Sequence, residues 1–69
     1  MTIDDAIKAV INDCKDPYAQ TYARAAMTAA VQYGTEGLKM QVRYILGNVS
    51  QWKGEIARES KKVMRAYIK

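Results

Sequence analysis

No histidine occurs anywhere in the chain, and cysteine occurs once, at Cys14. The first absence removes the side chain that most readily exchanges protons near neutral pH, and with it the commonest metal ligand. The second removes any disulfide within one chain, and it leaves no partner thiol at the spacing of a zinc site. Acid–base or nucleophilic chemistry would then fall to Cys14, carboxylates, lysines and tyrosines, and these form no recognisable set. Asp4 and Asp5 are adjacent, so on a helix they point in different directions. Gly34-Thr35-Glu36-Gly37 lacks the lysine and the preceding strand of a phosphate-cradling loop. Cys14 closes an apolar helical face, the usual setting of a small buried residue. We therefore expect no catalytic residue, no metal, no cofactor and no small-molecule substrate, hence a protein that is not an enzyme. A lone cysteine suits a reducing compartment, so the expected location is cytoplasmic. No apolar run approaches bilayer length, and Met1-Thr2-Ile3-Asp4-Asp5 places acids where a signal peptide carries bases. No membrane partner is expected.

Helix breakers are also scarce, with one proline and four glycines. Thr2 with Asp5 three residues on resembles a capping box, and Ile3, Ala6, Ile7, Val10, Ile11 and Cys14 recur at helical spacing. The first helix is thus predicted near 3–13. Asp16 can cap the second and Pro17 suits its first position, where a missing amide proton costs nothing. This helix, near 17–33, carries Ala19, Ala23, Ala25, Ala26, Ala29 and Ala30, with Tyr18, Tyr22 and Tyr33 on one edge. Small residues admit a close neighbour, and the tyrosines would supply the buried area that alanine lacks. Gly34 ends it. Leu38, Val42, Ile45, Leu46, Val49 and Trp52 stay in phase, which predicts a third helix near 36–52. The fourth is predicted near 55–67.

The sequence therefore predicts an all-α domain, residues 1–69, built as a compact bundle of about four helices with the third central. Its expected core is Ile7, Val10, Ile11, Tyr22, Met27, Val42, Ile45, Leu46, Val49, Trp52, Val63 and Tyr67. A chain of this size buries roughly 60% of its unfolded surface, so self-association is a natural source of added stability.

Charge is unevenly spread. Residues 1–36 hold three cations against five anions, whereas residues 37–69 hold eight against two. On the last helix Arg58, Lys61, Lys62, Arg65 and Lys69 form one stripe, which Lys53 and Arg43 extend. Such a stripe can meet nucleic-acid phosphates or an acidic partner, and it equally suits the helix dipole and solubility. Read as a helix-turn-helix around Gly34, the chain would offer the groove only Lys39 and Arg43, so non-specific phosphate contact is the better nucleic-acid reading. At about 100° per residue, Met40, Tyr44 and Gly47 share a second, partly apolar side of the third helix. That side is either packed in the bundle or a candidate protein interface.

The segment Leu38 to Tyr67, with Gln41-Val42-Arg43-Tyr44-Ile45-Leu46, Asn48, Trp52-Lys53-Gly54-Glu55 and Lys61-Lys62-Val63, resembles small uncharacterised proteins encoded by bacteriophages and other mobile elements. The resemblance covers just under half the chain. It implies a host-cell cytoplasmic setting and supplies no activity or site residue. The functional expectation is an interaction module that binds a protein partner or itself, with nucleic-acid binding through the basic helix as the alternative.

Overall fold

The first helix begins as the sequence predicts. The Thr2 amide donates to Asp5 Oδ2 at 3.0 Å and the Asp5 amide donates to Thr2 Oγ1 at 3.1 Å, a complete capping box. Hydrogen bonding from Thr2 to the Asp5 carboxylate, from the amide foremost and then from the side chain, holds that carboxyl below its usual pKa. In the computed structural model, which describes residues 1–69 except the side chain of Ala30, α1 spans Ile3–Asp13, α2 Pro17–Leu46 and α3 Glu55–Tyr67. The described residues contain no strand. Asp16 caps α2 by accepting from the Ala19 amide at 2.9 Å, with Pro17 in its first turn.

Gly34 breaks α2 at φ 67°, ψ −154°, a conformation open in practice only to glycine. The chain folds back there, which two distances show. Thirty straight helical residues would extend about 45 Å, yet the longest dimension of the molecule is 31 Å. Tyr22 and Tyr44 would stand about 33 Å apart along one helix, yet their ring centroids are 5.3 Å apart with planes tilted by 36°. The result is a bundle of four helical segments, the second and third forming a hairpin.

Packing follows residue size. Ala19, Ala23 and Ala26 are fully buried at helical spacing and let their neighbours approach closely, while Leu38, Val42 and Ile45 face them from the other limb of the hairpin. Ala6, Ile7 and Val10 of α1 and Ala57 and Met64 of α3 join the cluster, with Cys14, Val49 and Trp52 from the connecting segments. The third segment runs through the core, and α1 shares that position, packing on α2 and more extensively on α3. Gln20 joins α1 to α2, its amide donating to the Cys14 carbonyl at 2.7 Å and to that of Ile11 at 3.3 Å. Buried Ser60 donates to Met1 Sδ at 3.5 Å.

Three expectations need correction. The third helix does not reach Trp52: α2 ends at Leu46, with the Gly47 amide turned onto the Arg43 and Ile45 carbonyls and Asn48 Nδ2 on the Tyr44 carbonyl at 2.9 Å. A short turn, closed by the Trp52 amide on the Val49 carbonyl, keeps Val49 and Trp52 three residues apart and inward, so the apolar period outlives the helix. Met27 is not core: it is 46% exposed, one position past the Ala19–Ala23–Ala26 stripe. Ile11, Tyr22, Leu46, Val63 and Tyr67 are partly buried around the cluster, and Ile7, Val10, Val42, Ile45, Val49 and Trp52 are fully within it. Of the tyrosines expected to fill space beside the alanines, Tyr18 and Tyr33 stand out in solvent.

Gly54, before α3, has φ 110° and ψ 177°. A side chain there is strained whatever space is open, so Gly54→Ala is expected to destabilise by about 1–3 kcal/mol, read as a lower urea midpoint with unchanged slope.

Candidate functional site

Two surface features contain four of the eight residues singled out by sequence, namely Met40, Arg58, Lys61 and Arg65. The first lies along the hairpin. Glu36, Met40 and Arg43 fall on one stripe of the 35–46 segment, and with Tyr33, Gly37 and Gln41 they line an apolar groove of about 410 Å³. Tyr33 is 72% exposed, Met40 51% and Tyr44 48%. Tyr44 does not line the groove; its ring forms the tilted pair with Tyr22. Gly47 is exposed at the end of α2, outside the groove lining, where an added Cβ would meet the Tyr44 carbonyl at an ordinary 3.5 Å. The glycine that permits close approach is Gly37, which sequence reasoning did not single out: a Cβ there would lie 2.5 Å from Tyr33 Cβ and 3.3 Å from the Ala29 carbonyl. The Gln41 Oε1 atom is buried with no hydrogen-bond partner.

The second feature is basic. Arg58, Lys61 and Arg65 are spaced i, i+3, i+7 along α3 and so share one face. Lys53, from the loop before the helix, joins them around a pocket of about 370 Å³ that Trp52 and Gly54 complete. Lys62 and Lys69 do not line it, and Arg43 belongs to the other feature. No carboxylate lines the pocket. Its floor is fixed by hydrogen bonds: Lys61 Nζ donates to the Trp52 carbonyl at 2.6 Å, and Trp52 Nε1 donates to Asp13 Oδ2 at 2.8 Å. Desolvation, then the charges of Lys53 and Arg65, push the Lys61 ammonium below its usual pKa.

Cys14 is buried. Among the described residues no group of three or more acidic, cysteine or histidine side chains could hold a metal, and no helix is long and apolar enough to cross a membrane. Comparison with family models, curated proteins and solved structures finds no match to this chain.

Proposed function

We propose that the chain is a non-enzymatic interaction module whose hairpin groove receives a second copy of itself. The observation that carries this reading is the arrangement of Glu36, Met40 and Arg43 on one exposed stripe. Glu36 and Arg43 are seven residues apart, about 10.5 Å along the helix, and Met40 lies near their midpoint. In a two-fold pair each residue meets its counterpart reciprocally. Antiparallel packing of two 35–46 segments about an axis near Met40 therefore brings each Glu36 to the other copy's Arg43 and stacks apolar side chains between. Tyr33, which lines the groove, and Tyr44, four residues past Met40, are both exposed and offer further apolar surface to the partner copy. Burial of this face supplies what a small core lacks. A cytoplasmic setting, in a host cell for a phage-encoded chain, belongs to the same proposal and accords with a single, buried cysteine.

Sedimentation equilibrium tests it. The expected result is a mass that rises from monomer to dimer with concentration, and a Glu36→Arg variant that needs at least about tenfold more protein to dimerise, since reversal places like charges opposite each other twice. A wild-type chain that stays monomeric at every concentration overturns self-association and leaves the groove to a different protein.

A second reading, nucleic-acid binding by phosphate contact, is supported by the convergence of Lys53, Arg58, Lys61 and Arg65 on one pocket. Its mark is an affinity for labelled DNA that falls steeply with salt.

A further inference from the structure

We infer that the pocket between the 47–54 loop and α3 is a discrete phosphate-group site, held by Lys53, Arg58, Lys61 and Arg65. The inference deepens the nucleic-acid reading and shares its cations, but it makes a different claim. A stripe attracts phosphates along its whole length, whereas a site takes one phosphate in one place and leaves Lys62 and Lys69 outside.

Three observations carry it. The four cations come from two elements, loop and helix, and line a single concavity that no carboxylate enters. A cationic face that serves solubility alone has no reason to be gathered in this way. The members are also different in kind. Arg58 and Arg65 offer planar forks that can grip two oxygens each, and Lys61 is a point charge with protons to spare after the one it gives to the Trp52 carbonyl at 2.6 Å. Lastly, the support is rigid. Trp52 is buried, its indole is tied to Asp13 at 2.8 Å, and its carbonyl pins Lys61 to the pocket floor. Asp13 itself stands behind the tryptophan and does not line the pocket. Gly54, at φ 110°, turns the chain so that Lys53 faces the helix that follows.

Crowding four like charges costs stability that an anion returns. The Lys61 ammonium, held below its usual pKa first by desolvation, also feels the charges of Lys53 and Arg65, which a bound phosphate would offset. This separates a ligand site from a structural one. Neutralising Arg65 is expected to leave the free protein as stable or more stable while weakening phosphate binding, a pairing that a structural arginine does not give.

The experiment is a titration of the isotopically labelled protein with inorganic phosphate at constant ionic strength, followed by amide chemical shifts, with short duplex DNA as a second ligand. Saturable shifts confined to residues around 52–65 are expected. Arg58→Gln and Arg65→Gln should each weaken binding about tenfold, the consequence of losing a charge-assisted hydrogen bond, while Lys62→Gln and Lys69→Gln leave it unchanged. Circular dichroism verifies that each variant keeps its helices. If duplex DNA competes with phosphate for the same residues, the phosphate belongs to a nucleic-acid backbone. If phosphate saturates and DNA does not compete, it belongs to a free or small-molecule phosphate, and the site stands in either case. Shifts that never saturate, or an equal loss from Lys62→Gln, overturn it. DNA binding that persists alongside non-saturating phosphate leaves the stripe reading intact, and absence of both kinds of binding removes the two together.

Discussion

Trp52→Ala should remove a large fraction of the stability of the chain, about 3–5 kcal/mol. The indole is the largest apolar side chain present, it is 7% exposed, and it lies where the 47–54 loop closes over the core. Truncating such a residue costs about 3–5 kcal/mol through lost burial and the cavity left behind. At about 0.05–0.15 kcal/mol per residue, a domain of this size has roughly 3–10 kcal/mol in total. The loss is thus a large fraction of everything that holds the fold. Trp52 also does more than fill space. Its indole N–H answers Asp13 at the end of α1, and its carbonyl holds Lys61 of α3, so one residue links three parts of the molecule. Trp52→Phe separates these roles. It keeps most of the ring and loses the bond to Asp13, and it should cost about 1–2 kcal/mol beyond the change in ring size. Urea unfolding followed by far-ultraviolet circular dichroism measures both variants, because it does not depend on the fluorescence that the substitutions remove. A Trp52→Ala chain that melts near the wild-type temperature would mean the loop is not packed as described.

Gly37→Ala is the second large effect, and it comes from the smallest chemical change. An added Cβ would sit 2.5 Å from Tyr33 Cβ, inside the distance at which two such carbons can coexist, and 3.3 Å from the Ala29 carbonyl oxygen. Neither obstacle can be moved by a rotamer change, since a Cβ and a carbonyl are fixed to their backbones. The two limbs of the hairpin must part, and such overpacking costs about 1–3 kcal/mol. Separation of the limbs also pulls Tyr22 away from Tyr44, so the substitution should raise tyrosine exposure as well as lower the urea midpoint. Gly47→Ala makes the contrast. Gly47 has helical backbone angles, φ −70° and ψ −11°, and its Cβ would meet nothing closer than 3.5 Å. Alanine there restricts the unfolded chain without strain in the folded one, and a gain of about 0.4–1 kcal/mol is expected. Equal losses at both positions would show that the hairpin is not closed at Gly37.

Comparison of these two glycines shows what could be read from the chain and what could not. Local chemistry was legible. Thr2 with Asp5, Asp16 with Pro17, and Gly34 each mark a boundary by the groups adjacent to it, and the structure has a helix start or a break at each one. Contacts between elements were not legible in the same way. Helical phase placed Gly47 on one side with Met40 and Tyr44, but it gave no sign of the crowding inside the chain at Gly37, where the backbone folds across itself. Helical phase also misplaced the end of the third segment, since the turn from Val49 to Trp52 preserves a spacing of three. The core was judged by residue size, which favoured Met27 over the alanines; the structure buries Ala19, Ala23 and Ala26 because closeness, not area, is what that stripe provides. The basic stripe divided in a manner that a helical wheel does not show. Lys53 arrives from the loop, while Lys62 and Lys69 fall outside the pocket.

Among all these tests, the reciprocal exchange of Glu36 and Arg43 addresses most directly whether the groove is built to receive its own copy. Sedimentation equilibrium would be run on the wild type, on Glu36→Arg, on Arg43→Glu and on the double variant with both changes. If the two residues meet across a two-fold axis, each single reversal weakens the dimer and the double variant recovers it, because every pair is again of opposite sign. A double variant as weak as the sum of the two single changes would place Glu36 and Arg43 apart in the assembly, and the self-complementary interface would have to be abandoned.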